Sequence, residues 1–162
     1  MTEQQSPYGA VPHGAQPVPA VADYSGFSIG AVVTIIGSIL ALASYPLVWY
    51  VAKIDDAATI TGFGTTHSTD TLEVTYKSSK LHWAVAAAGI VLLIVGITRL
   101  IGKYTDAWKR PTLIVGAIGV AGAVASAVLV DGDFKLGTGV YLALVGAIVA
   151  LAGGALIAVA KK

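Results

Sequence analysis

Four long apolar runs set the terms for what this chain can fold into. They cover about residues 28–51, 83–100, 112–130 and 140–160, and apart from Arg99 at the end of the second they hold no Asp, Glu, Lys, Arg or His. A bilayer's hydrocarbon core is roughly 30 Å thick and takes about 20 helical residues to cross, so each run is long enough to span it. Composition points the same way: 12% of the 162 residues are charged and 56% are hydrophobic, against about 25% and 45–50% in an ordinary soluble domain. Such a chain cannot clothe a water-facing surface in polar groups. A soluble enzyme and a disordered protein are set aside, and the reading is an all-α membrane protein, a four-transmembrane-helix bundle.

The charges between the runs predict its orientation. The segment joining the second and third runs holds Arg99, Lys103, Lys109 and Arg110 against Asp106, and the chain ends in Lys161 and Lys162. The first connection balances Lys53, Lys77 and Lys80 with Asp55, Asp56, Asp70 and Glu73, and the third carries Asp131, Asp133 and Lys135. Basic short loops stay in the cytoplasm, so both termini and the second connection are expected there, in a cytoplasmic (inner) membrane. Tyr24, Phe27, Tyr104 and Trp108 then fall at the inner interface. Trp49, Tyr50, Trp83, Phe134 and Tyr141 fall at the outer one, where amphipathic rings are favoured. Pro46 predicts a kink in the outer third of the first helix.

Residues 1–24 read as a disordered Pro/Gln-rich cytoplasmic tail, and residues 25–162 as the transmembrane domain. Pro7, Pro12, Pro17 and Pro19 fix φ without any apolar period around them. The outer loop, 54–82, is the one sizeable polar piece. Leu72, Val74 and Tyr76 alternate with Thr71, Glu73, Thr75 and Lys77, the period of a half-covered strand. A second strand is expected near 59–65 with the turn at 66–70, making a small extracytoplasmic β-hairpin laid over the helix ends.

Lipid is as apolar as Leu, so packing inside a membrane relies on small residues that let backbones approach. The fourth run supplies Gly146, Ala150, Gly154 and Ala158. The third supplies Gly119, Ala123 and Ala127 on one face and Ala117, Ala121 and Ala125 on another, which marks it as the central helix. The second gives Ala84, Ala88 and Gly96, and the first Gly30, Thr34 and Ser38. These stripes are expected to hold the helices to one another, and after that to serve a membrane-protein partner or self-association.

Chemistry is scarce. Transport or proton movement calls for ionisable groups inside the membrane, and the runs offer only hydroxyls: Thr34, Ser38, Ser44, Thr98 and Ser126. His67, Asp70, Glu73 and His82 lack the spacing of a metal site, so His67 reads as a solvated turn residue and His82 as an interfacial one. Asp131-Gly132-Asp133 opens like a calcium loop but lacks its later ligands and reads as a turn. No nucleophile–base pair, carboxylate dyad or cofactor fingerprint is legible: no catalytic residue, no metal and no cofactor are expected. A net charge of +1 gives no field to recruit nucleic acid. Arg99, Lys103, Trp108, Lys109 and Arg110 form the one charged and aromatic cluster, suited to contact with lipid headgroups or a partner.

The tail EQQSPYGAVPHGAQPVP, the Ala/Gly/Val-heavy runs and the lack of Asn and Cys resemble small uncharacterised four-pass membrane proteins of high-GC actinobacteria and their phages. The order of short tail, span, β-like loop and three close spans is also similar to claudin-like topology. Claudins carry paired Cys in that loop; this chain has none, and no site residue is carried across. The expected function is that of a non-enzymatic accessory or interaction subunit of a membrane or envelope complex. The alternatives are a holin-like permeabilising or immunity protein of phage type and a small transporter.

Overall fold

A computed structural model describes residues 28–54, 56–68 and 80–160. It is mostly helical, with four helices and one small antiparallel sheet. Helix α1 is Ile29–Ala43, α2 His82–Leu100, α3 Lys109–Val128 and α4 Thr138–Val159. The expected tail, Tyr24, Phe27 and the strand at 71–77 lie outside the described residues. Helices α2 and α4, and the stretch 106–128 containing α3, are long and apolar enough to cross a membrane; α1, with 15 residues, is shorter.

The first helix therefore ends eight residues earlier than the apolar run suggests. Ser28 caps its start by accepting from the Ala31 N–H at 3.3 Å, as N-cap hydroxyls do. At the other end Pro46 disfavours helical backbone in the residue before it, and a turn runs through 44–46. The next segment, Val48-Trp49-Tyr50-Val51-Ala52, is β-branched and aromatic and forms strand β1, Val48–Ala52. Pro46 thus terminates a helix rather than kinking one.

Of the expected hairpin only the strand near 59–65 falls among the described residues, and it belongs to a larger sheet. Strand β2 is Thr59–Thr61, β3 is Thr66–His67 and β4 is Phe134–Leu136, in the order β3-β2-β1-β4. The turn sits at 62–65, where Gly64 takes φ +82° and the Thr61 N–H donates to the Thr65 carbonyl. Residues 66–67 are therefore strand, not turn, and His67 lies exposed on β3. Strand β4 comes from the third connection and pairs Tyr50 with Leu136 and Ala52 with Phe134. Lys53 fastens the two connections further: its N–H donates to the Asp133 carbonyl at 2.9 Å and its ammonium to the Gly132 carbonyl.

The closest helix pair is α1 against α4, so α3 is not the central helix. A Cβ at Gly37 would stand 2.7 Å from the Gly146 carbonyl oxygen, and one at Gly146 would stand 2.8 Å from the Gly37 oxygen. Gly30 and Gly153 repeat that reciprocity further along, at 3.0 and 2.8 Å. Backbones this close leave no room for side chains, and the gain is dispersion contact along the seam. Helix α3 packs on α2 and α4: Gly119 faces Ala88, Gly122 faces Ala84, and Gly116 faces Leu151.

Candidate functional site

At the sheet end, one short segment closes three helices. A helix leaves its last four carbonyls without intrahelical partners. Trp49 donates its indole N–H to the Ser44 carbonyl just past α1, at 2.8 Å, and the Tyr50 hydroxyl donates to the Ser126 carbonyl in the last turn of α3, at 2.9 Å. The Tyr45 hydroxyl donates to the His82 carbonyl and accepts from the Ala86 N–H, placing itself between two groups a regular helix would join at the start of α2. Both Trp49 and Tyr50 face inward because β1 shifts register between Val48 and Tyr50, and an extra residue in a strand re-aims its side chains. Trp49 is 1% exposed and Tyr50 is buried, so these two rings belong to the core and not to an interfacial belt. Burial also pushes the Tyr45 hydroxyl up to about 12, partly offset by the Ala86 N–H.

His82 is buried here, its ring 5.9 Å from Trp49 and 5.5 Å from Trp83. No three His, Asp or Glu side chains converge among the described residues; Asp70 and Glu73 lie outside them.

The bundle interior is occupied by small and hydroxylated side chains whose donors are already engaged. Thr34 donates to the Gly30 carbonyl at 2.7 Å, Ser38 to Thr34 at 2.8 Å and Ser126 to Gly122 at 2.8 Å, the back-bonding usual for such residues in helices. The void among Ala41, Val85, Ala88, Leu92, Gly119, Ala147 and Ala150 is about 10 Å³, about what one water requires. Of the stripe residues, Gly146 and Ala150 lie against α1, and a Cβ at Gly154 would stand 3.0 Å from the Thr112 methyl of α3. Ala123 is buried, while Ala127 and Ala158 are half-buried. Ala117 and Ala121, by contrast, are exposed.

The opposite end holds the basic and aromatic cluster, and the local sequence explains its shape. Helix α2 stops in a Schellman arrangement: the Lys103 N–H donates to the Thr98 carbonyl at 2.9 Å and the Gly102 N–H to the Arg99 carbonyl, with Gly102 at φ +73°. That left-handed position suits Gly, and it turns the chain so that Lys103 lies back against α2. Tyr104 then buries itself, its hydroxyl 3.5 Å from that of Thr112. A single 3₁₀ turn, Asp106–Trp108, leads into α3, and Thr112 donates to the Trp108 carbonyl at 2.7 Å.

Val91, Ile94, Val95 and Thr98 of α2, with Lys103 and Trp108, line a groove of about 270 Å³. Ile94 is 55% and Trp108 50% exposed. The Thr98 hydroxyl donates to the Val95 carbonyl at 2.9 Å, so the floor is apolar. Lys109 is neutralised by Asp106 at 2.9 Å. Arg99 is half-buried in the last turn of α2, and Arg110 is exposed. The structure thus separates the cluster: Lys103 and Trp108 share the groove, whereas Lys109 is turned to Asp106. The groove's α2 residues escaped sequence reading, although their i, i+3, i+4, i+7 spacing puts them on one helical face.

Neither a known family model nor a curated protein matches the chain.

Proposed function

We propose that this is a non-enzymatic integral membrane protein whose four helices all cross a cytoplasmic membrane, with both termini and the α2–α3 connection in the cytoplasm and the sheet outside. It serves as an accessory subunit that contacts another membrane protein. The resemblance in layout to small four-pass proteins of actinobacteria and their phages is consistent with this reading.

The membrane placement is supported by which side chains the fold leaves outside. Ile36 and Ile39 of α1, Ile90 and Ile94 of α2, Ile114 and Ile118 of α3, and Val145 and Ile148 of α4 all point away from the bundle. A rim of apolar residues on every helix suits hydrocarbon and not water. The 19 residues of α2 rise about 28 Å, close to the roughly 30 Å of a bilayer core. Helix α1 is shorter, yet its Gly30–Gly37 face runs level with Gly146–Gly153 of α4, and the turn after it continues to the first turn of α4, where Gly139 lies against Trp49.

The observation that carries the accessory role is the outward face of α3. Gly146, Ala150 and Gly154 are taken up within the chain, so enlarging them tests folding, not association. Ala117 and Ala121 face outward beside Ile114, Ile118 and Val124, where small residues would let a foreign helix approach. Replacing both with Leu is expected to abolish co-purification of a membrane partner from native membranes while leaving the melting temperature in detergent unchanged. The chain returning alone from such membranes, before and after the change, would refute the role. The interior void among Ala41, Val85 and Ala147, at about 10 Å³, is no conduit, and it gives no support to a transporter. An inducible-expression assay with a potential-sensitive dye separates the holin-like reading, which requires abrupt depolarisation.

A further inference from the structure

We propose that the groove between Ile94 and Trp108 holds one acyl chain of an anionic phospholipid, with its headgroup at Lys103. The inference rests on the membrane placement above and adds a ligand to it. Its volume of about 270 Å³ falls just under the roughly 300–1,000 Å³ of pockets that enclose a whole small molecule, which suits part of a molecule. From Val91 to Thr98 the floor extends about 10 Å along α2, a third of the hydrocarbon thickness. It is apolar along that length and ends at a cation.

Charge and geometry select the headgroup. Among the described residues Lys103 has no acidic partner within an ion-pair distance, and Asp106, the nearest acid in sequence, is held by Lys109 at 2.9 Å. The Schellman turn fixes the Lys103 backbone at the helix end, and its exposed side chain lines the groove there. Trp108, half-exposed beside it, has the ring chemistry favoured at the level where hydrocarbon meets headgroups. A zwitterionic headgroup would meet the same floor but carry no net charge for Lys103 to attract.

The test uses the full chain purified in detergent and exchanged with equimolar phosphatidylglycerol and phosphatidylcholine, with retained lipid counted by native mass spectrometry. The wild type is expected to keep phosphatidylglycerol over phosphatidylcholine about five-fold, the scale of one basic residue near an anionic surface. Lys103→Gln should bring the two lipids to parity. Ile94→Trp, which fills the groove from an exposed position, should lose both, with unchanged helix content by circular dichroism. Arg110→Gln lies outside the lining and should retain the preference. Equal retention of both lipids by the wild type, or equal losses in Lys103→Gln and Arg110→Gln, would overturn the site while leaving the membrane placement intact. A protein monodisperse without detergent would overturn both.

Discussion

The Tyr50 hydroxyl donates to the Ser126 carbonyl across 76 residues of chain, at 2.9 Å. It ties an inner strand of the sheet, β1, to the last turn of α3, where a carbonyl would otherwise be buried without a partner. Tyr50→Phe keeps the ring and deletes that bond. It is expected to lower unfolding free energy by about 1 to 3 kcal/mol, the cost of leaving a buried acceptor unmet, measured by denaturant titration in micelles.

The seam between α1 and α4 makes a sharper demand. Gly37→Ala and Gly146→Ala each place a methyl against the opposing backbone, where no side-chain rotamer can give way. Each is expected to cost about 1 to 3 kcal/mol or more, as overpacking does. Gly132→Ala is the control: nothing lies within 4 Å of its added carbon, and its effect should stay within about 0.5 kcal/mol.

Alkaline stability should report on Tyr45. Its hydroxyl is raised from 10.0 to about 12 by burial, so above about pH 10 the unfolded chain releases a proton that the folded chain retains. Folding stability is therefore full below pH 10 and falls as pH rises towards 12. Melting temperatures recorded from pH 8 to 12 should decline more steeply for the wild type than for Tyr45→Phe. Parallel curves would show that the hydroxyl ionises in the folded state as readily as in water.

Strand β4 is held by backbone approach more than by charge. A Cβ at Gly137 would stand 2.8 Å from the Val48 carbonyl carbon, and the Gly137 N–H donates to the Trp49 carbonyl at 2.7 Å. Gly137→Ala should therefore free the β1–β4 edge, seen as faster amide hydrogen exchange at Lys53 and at residue 137, whose N–H groups donate across it. Lys135→Gln removes only an exposed 3.0 Å ion pair with Asp56, and exposed pairs contribute about 0–1 kcal/mol. Exchange at those amides should be nearly unchanged by it.

What the residue order makes legible is whatever repeats locally. The limits of α2 to α4 lie within three residues of the apolar runs, because helical period, length and the absence of charge act together. The end of α1 was hidden because Val48 to Val51 are as apolar as the helix before them, and hydropathy does not separate a membrane helix from a buried strand. Only Pro46 and the aromatic, β-branched composition marked the change. Strand β4 was hidden for another reason: Phe134-Lys135-Leu136 is too short to show a period, and it becomes a strand only because Tyr50 and Ala52 lie opposite. The small residues at Gly146, Ala150 and Gly119 were legible as packing positions, but their partners were not, since spacing along one helix says nothing about which neighbour fills the gap. The same limit applied to the groove. Lys103 and Trp108 stood out by type, and the α2 face beneath them needed the Schellman turn to bring it into register.

The placement of β1 between strands from two distant connections sets an order of events during synthesis. Its first edge can pair with β2 as soon as residue 61 has emerged, but its second edge must wait for residues 134–136, after α2 and α3 have been made. Until then a row of unpaired amides and carbonyls stands open on the nascent chain, a template for any extended segment nearby. A ribosome stalled beyond α3 would leave that template uncovered, and such truncated products are the ones a quality-control protease would have most reason to meet.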